Sequence, residues 1–345
     1  MQNVGIVGYG IYIPKYRIKV EEIAKAWGKN EKDVSSSLGI TEKSVPAGDE
    51  DTATLAYEAA LLALQMGSLD PSQLEACLIG SESHPYAVNP TATIVGEFLG
   101  FGNNYLAADL EFACKAATTG MQSIAALIET GKIKYGLCVG ADTAQSKPHD
   151  ALEYTAAAGA AAFILGGQNL LANILDFTSF SSDTPDFWRR EGMRYPSHGG
   201  RFTGEPAYFT HVMGGAQRLL EKTKHQPSDF KYCVFHMPNG KFPRQVAKRL
   251  GFTEEQLRPS LIVDDIGNPY SASSLIGLSS VLDIAKPNEK IFMVSYGSGA
   301  GSDSFILETT TLLTKKRQKH PSYQDLISQK SYISYSQYLR LEKKI

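Results

Sequence analysis

Short unbroken apolar runs alternate along this chain with longer stretches in which apolar positions recur every three or four residues. That alternation predicts a layered α/β fold. Val4 to Tyr12 reads as a strand, and Asp49 to Asp51 opens a helix over TATLAYEAALLALQMG that Gly67 closes. ACLIGSES is a strand running into a loop, Thr91 to Leu99 and Lys115 to Thr130 are helical, and Gly131 is a stop. YGLCVGAD and AAAFILGG carry no polar alternation, which predicts strands buried on both faces.

A similar order returns after about residue 167. ANILDFTSF is a strand, Ala207 to Lys222 a helix, YCVFHMP a strand, and KFPRQVAKRLGF and SASSLIGLSSVLDIA two helices. IFMVSYGSG and SDSFILET then close the second half with a strand pair, as YGLCVGAD and AAAFILGG close the first. Two duplicated α/β halves, 1–166 and 167–345, follow from that order, although few residues are shared between them. From Lys315 onward a short basic stretch leads into a tail with Tyr323, Tyr332, Tyr335 and Tyr338. It reads either as a segment docked on the body or as a partner-binding tail.

Composition narrows the function classes. The chain has 345 residues, 43% of them hydrophobic, enough for a sizeable core. A formal net charge of -2 lacks the overall field of a nucleic-acid binder. The longest apolar run, TAAAGAAAFILGG, is too short to span a bilayer, and the start lacks a secretory layout. Cys77, Cys114, Cys138 and Cys233 match no zinc or disulfide spacing. A soluble cytoplasmic protein without a membrane or nucleic-acid partner, and without a metal, is expected.

Cys114 is set apart from the other cysteines, which lie inside apolar strands. It directly precedes a predicted helix, where the helix N-terminus and the adjacent Lys115 are expected to stabilise a thiolate and nearby N–H groups to hold an oxyanion. A buried structural thiol is the competing reading. His236 ends YCVFH at the tip of a strand, the place where open α/β sheets put their sites. Glu82 leaves the strand ACLIG into SESHPYAVNP at a comparable tip, and a solvated loop glutamate is the plain alternative. Asn268 in GNPYSASS either orients a catalytic group or caps a helix. Ser298 lies in the glycine-rich turn YGSGAGSDS, which lets backbone approach a ligand but matches no complete phosphate-binding fingerprint. Lys241, Arg244 and Lys248 form a basic stripe at helical spacing, and Arg189, Arg190, Arg194 and Arg201 a second basic cluster beside Trp188 and Tyr195.

Taken together, VGIVGYGIYIPKYRI, EDTATLAYEAA, GSESHPYAVNPTA, EFACKAATTGMQ, FHMPNGKFP, GNPYSASS and YGSGAGSDSF resemble the thiolase superfamily. They are most similar to its hydroxymethylglutaryl-CoA synthases, in the compact archaeal-type branch. The resemblance implies a layered αβαβα core. It implies condensation of acetyl-CoA with acetoacetyl-CoA to 3-hydroxy-3-methylglutaryl-CoA, in isoprenoid synthesis, with no cofactor beyond the coenzyme A thioesters. It gives Cys114 the role of acyl acceptor, Glu82 that of general acid/base and His236 that of catalytic histidine. Asn268, Ser298, Thr155 and Thr203 fall where the family contacts the acyl portion, and Arg201 and Lys241 where it holds coenzyme A. It further implies a homodimer, and assembly with an acetoacetyl-CoA thiolase and a small OB-fold acyl-CoA-binding protein. The rival readings are a ketoacyl synthase of the initiating type, another acyltransferase of the superfamily, and a non-catalytic scaffold subunit.

Overall fold

The computed structural model describes residues 3–343. Nine strands build its main sheet: β1 (Gly5–Tyr12), β2 (Ala76–Gly80), β3 (Leu106–Leu110), β4 (Tyr135–Thr143), β5 (Ala158–Gly166), β6 (Ala172–Thr184), β7 (Tyr232–Phe235), β8 (Lys290–Val294) and β9 (Gly299–Thr309). Their spatial order is β7-β8-β9-β6-β1-β5-β4-β2-β3. Among the described residues, the two halves of the sheet are joined where Gly5 and Ile6 of β1 pair with Asn173 and Ala172 of β6.

Strand pairing follows the same pattern on either side of that junction. In the first half β2 and β4 run parallel, while β4–β5 and β5–β1 are antiparallel. In the second half β7 and β8 run parallel, while β8–β9 and β9–β6 are antiparallel. β3, parallel to β2 at the sheet's edge, has no second-half counterpart among the described strands. It was not expected from the sequence, because LAADL is half-exposed and lacks the continuous apolar run of its neighbours.

Helices complete the layers. The helices α1 (Thr52–Gly67), α2 (Thr91–Leu99) and α3 (Ala116–Glu129) serve the first half. Those of the second half are α4 (Thr210–Thr223), α5 (Phe242–Leu250) and α6 (Ser273–Leu282). α1 and α4 each pack on the strands of their own half, α6 packs on strands of both halves, and α3 packs on first-half strands while its Thr118 reaches Asp303 of the second half. Every residue of α6 is buried, its four serines included, so the helix is enclosed all round instead of along one stripe. The central helices approach the sheet closely enough to require glycine. A Cβ on Gly80 would sit 2.2 Å from the Ala117 nitrogen, a backbone atom that cannot swing away. Gly80→Ala is therefore expected to cost about 3 kcal/mol, at the high end for overpacking, read as a lower urea midpoint.

Boundaries shifted where side-chain chemistry competes with the apolar pattern. The helix expected from Ala207 starts regularly only at Thr210, after a π-type turn over Thr203–Phe209 that contains Pro206. Tail residues Tyr323 and Tyr338 are buried in the body, and Tyr335 stacks edge-on against Trp27. Ser331–Tyr332 adds a strand to a small sheet formed by Tyr16–Lys19 and Glu42–Val45. The last two residues of the tail lie outside the described residues. No helix among the described residues is long and apolar enough to cross a membrane.

Candidate active site

The parallel strands β2 and β4 end side by side, and their tips build the first part of the site. Chain leaving β2 turns through Ser81, Glu82 and Ser83, and this turn is tied to the fully buried Asp142 at the end of β4. One Asp142 carboxylate oxygen accepts from the Ser81 hydroxyl at 2.8 Å, the Glu82 N–H at 2.8 Å and the Ser83 hydroxyl at 2.7 Å. Its other oxygen accepts from the Ser271 N–H at 2.9 Å, just before α6. Charge-assisted bonds of this kind fix the backbone that presents Glu82.

Cys114 sits opposite, in the turn between β3 and α3. Ala113 adopts φ +46°, a left-handed conformation that costs energy for a side chain with a Cβ and is typical of functional turns. The Cys114 Sγ–H donates to Glu82 Oε1 at 3.3 Å. Burial and the Glu82 carboxylate push the Cys114 thiol well up, and burial with the nearby Asp142 charge raises Glu82 to about 8. The resting site therefore holds a protonated thiol hydrogen-bonded to a carboxyl group of raised basicity.

Lys115 does not supply the expected counter-charge. Its ammonium points away from the sulfur to the buried Asp303 carboxylate at 3.1 Å and the Thr119 hydroxyl at 2.7 Å. The expectation of a thiolate stabilised by Lys115 is corrected accordingly: the neighbour in sequence is spoken for by a partner 188 residues away.

His236 follows β7 directly, since that strand ends at Phe235 and not at the expected Pro238. Its backbone is held by the Val294 carbonyl at 3.0 Å and by the Tyr208 hydroxyl, which donates to the His236 carbonyl at 2.6 Å. Burial lowers the imidazole to about 3, so the ring is neutral at any ordinary pH, and its Nδ1 has no hydrogen-bond partner among the described residues. Asn268 is buried; its side-chain oxygen accepts from the Tyr270 N–H at 3.0 Å, and its N–H donates to the Thr155 carbonyl at 2.8 Å.

Two adjoining cavities meet at the Cys114–Glu82 bond. One, of about 260 Å³, is lined by Glu82, Phe112, Arg189 and Ser298 among others. The other, of about 310 Å³, brings together Cys114, Thr155, Thr203, His236, Asn268 and Ser298. Phe187, Tyr270 and Ser298 line both. Seven of the nine residues to which the resemblance gives a role thus lie in one place. Arg201 and Lys241 line neither cavity and are exposed. Arg244 of the basic stripe is committed to Asp264 at 2.6 Å. Arg189 of the second cluster donates to the Glu82 carbonyl at 3.3 Å and the Gln145 side chain at 2.8 Å.

Comparison with known proteins decides the family. The hydroxymethylglutaryl-CoA synthase of Methanothermobacter thermautotrophicus is 56% identical over 99% of both chains, and that of Archaeoglobus fulgidus is 55% identical over the same shares. This chain belongs to the hydroxymethylglutaryl-CoA synthase family. Its fold is accordingly thiolase-like. Residues 108–183 match the family model of 3-oxoacyl-[acyl-carrier-protein] synthase III, and residues 220–309 match the model of that family's C terminal. The solved structure of MvaS in complex with 3-hydroxy-3-methylglutaryl coenzyme A superposes with a TM-score of 0.91, covering 99% of this chain and 92% of that one, at 24% identity.

Within this synthase fold, several residues at the cavities escaped sequence reasoning. Asp186 is buried on the cavity wall and accepts from the Tyr296 hydroxyl and the Gly299 N–H, each at 2.8 Å. Nothing in DTPDFW distinguishes it from a loop aspartate. Asp142 had a readable sign, a charge at the C-terminal end of the apolar run YGLCVGAD. Tyr208 had none, because its use depends on the π-type turn.

Proposed function

We propose that this chain condenses acetyl-CoA with acetoacetyl-CoA and water to 3-hydroxy-3-methylglutaryl-CoA and coenzyme A, through an acetyl thioester on Cys114. The observation that carries the mechanism is the 3.3 Å bond between Cys114 and Glu82 at the junction of two cavities. The Cys114 proton passes to Glu82 as the sulfur attacks the acetyl carbonyl, and the departing coenzyme A sulfur takes it up. Glu82, again a carboxylate, removes a proton from the acetyl methyl group, which the thioester acidifies. The resulting carbanion attacks the ketone carbon of acetoacetyl-CoA, while neutral His236 hydrogen-bonds the oxygen on which charge grows. The proton held by Glu82 passes to that oxygen, and water then cleaves the Cys114 thioester, its hydroxyl going to the acyl carbon and its proton to the sulfur, to release product and the free thiol.

The division of labour follows the halves: 1–166 contributes Glu82 and Cys114, and 167–345 contributes His236, Asn268 and Ser298. Thr155, Thr203, Asn268 and Ser298 hold the acyl groups at the cavity walls. Arg201 and Lys241, outside the walls, meet the phosphates of coenzyme A, where solvent-exposed cations lose little on binding an anion. The chain works in the cytoplasm as a homodimer, in assembly with an acetoacetyl-CoA thiolase and a small OB-fold acyl-CoA-binding protein. Absence of co-elution from the mixed purified proteins removes that assembly.

The initiating ketoacyl synthase reading is separated from this one by its second substrate. Decarboxylation supplies its carbanion, so it has no use for a carboxylate placed as Glu82 is. With both acceptors offered to the acetylated protein, product is expected from acetoacetyl-CoA and none from malonyl-acyl carrier protein; the reverse result overturns the proposal.

Two further results are expected. His236→Ala is expected to acetylate normally yet lose about 10²- to 10⁴-fold in condensation, measured as single-turnover decay of acetyl-enzyme with acetoacetyl-CoA. The condensation rate is expected to rise with pH through a midpoint near 8. Glu82 must be ionised to act, and burial has moved its ionisation up from the ordinary carboxylate range to about 8. A rate flat between pH 6 and 9 contradicts the assignment of the base.

A further inference from the structure

Beyond the residues that line the cavities, one buried ion pair ties the nucleophile's turn to the other half of the molecule. The Lys115 and Asp303 side chains are only 3% and 1% exposed. Asp303 lies on β9, in the second half, and Lys115 directly follows Cys114, in the first. The pair is fully dressed. Asp303 also accepts from the hydroxyls of Thr118 at 2.8 Å, Thr119 at 3.1 Å and Ser179 at 2.8 Å, and the Lys115 ammonium lies 4.1 Å from the centroid of the Phe112 ring. Thr118 and Ser295 share a further bond at 2.7 Å.

Around this pair the Cys114 turn is pressed against the turn that carries Ser298. Gly297 and Gly301 close that turn with paired backbone bonds of 2.8 and 2.9 Å. A Cβ on Gly297 would come within 2.3 Å of the Phe112 carbonyl oxygen and 2.8 Å of the Lys115 side chain. One on Gly301 would come within 2.7 Å of the Phe112 ring and 3.0 Å of Lys115 Cε. The lysine stem therefore lies along the glycine turn, with its charged end anchored beneath it.

We propose that Lys115 and Asp303 are positioning residues that clamp the Cys114 turn onto the Gly297–Ser298 turn, setting the acyl-accepting sulfur against the second half of the site. The clamp acts through geometry. Its two charges cancel each other, and neither side chain lines the substrate cavities. This inference rests on Cys114 being the acyl acceptor.

The test compares wild type with Lys115→Met/Asp303→Asn, which removes both charges together and so leaves no orphaned ion in the core. Acetyl transfer from acetyl-CoA and alkylation of Cys114 by iodoacetamide are measured alongside thermal unfolding. The expected result is a folded variant whose kcat for acetyl transfer falls about 10- to 100-fold with KM unchanged, while alkylation becomes faster as the turn loosens. Wild-type rates for both reactions in the folded variant overturn the clamp. Should the double variant not fold, Asp303→Glu keeps both charges and moves the carboxylate by one methylene. The same split in kcat and KM then supports the clamp, and wild-type kcat overturns it. Failure of wild type itself to acetylate strikes the assignment of Cys114 instead, and the alkylation rates still decide the clamp.

Discussion

Cys114→Ser is expected to form no stable acetyl adduct and to lose turnover on the order of 10⁴-fold or more, comparable to disabling a catalytic triad. A serine hydroxyl is far less acidic than a thiol. In this site the deficit is compounded, because burial and the Glu82 carboxylate already push even the Cys114 thiol upward. Lys115 does not offset that push, being paired to Asp303 at 3.1 Å. Intact-protein mass spectrometry after exposure to acetyl-CoA reads the adduct directly. The variant is expected to fold as the wild type does, since the change is nearly isosteric and the new hydroxyl can keep a hydrogen bond to Glu82. An acetyl group located by peptide mapping away from position 114 would place the nucleophile elsewhere, and Cys77, Cys138 and Cys233 are all buried in the described structure.

The second large effect is expected at Glu82. Glu82→Ala removes the proton acceptor for both half-reactions, but not equally. Removing Glu82 takes away one of the causes that push the Cys114 thiol up, while its burial, the larger one, remains. Acetyl transfer in the variant is therefore expected to recover in part as pH rises, because a thiol is still an ionisable acid. The methyl protons of an acetyl thioester are much less acidic, and the neighbouring Asp142 cannot take over, because it spends its oxygens on four donors. Condensation is expected to remain about 10²- to 10⁴-fold below wild type at every pH. Separate measurement of acetyl-enzyme formation and of its consumption by acetoacetyl-CoA checks this. Equal recovery of both steps at high pH would show that Glu82 serves only the thiol.

Much of the layered core was legible in the chain because its strands are buried on both faces, so YGLCVGAD and AAAFILGG stand out as unbroken apolar runs. The edge strand Leu106–Leu110 was not, because an edge needs only half the burial and LAADL shows neither a run nor an alternation. Site residues followed the same logic. Glu82 and His236 each lie just beyond a strand and Cys114 just before a helix, positions visible in sequence and brought together in space. What remained hidden was long-range pairing. Lys115 stands next to Cys114 in sequence but belongs to Asp303 in space, and Arg244 belongs to Asp264. Charge adjacency along a chain does not tell which way a flexible side chain turns once a buried counter-ion is available. Asp186 was hidden for the same reason, since its value lies in donors gathered from a distant segment.

The most direct test of the whole account is to incubate the purified protein with acetyl-CoA and acetoacetyl-CoA and identify the acyl-CoA products by mass spectrometry, with Cys114→Ser alongside. The account predicts 3-hydroxy-3-methylglutaryl-CoA from the wild type and none from the variant. A wild-type protein that neither forms this product nor carries an acetyl group on Cys114 would contradict it.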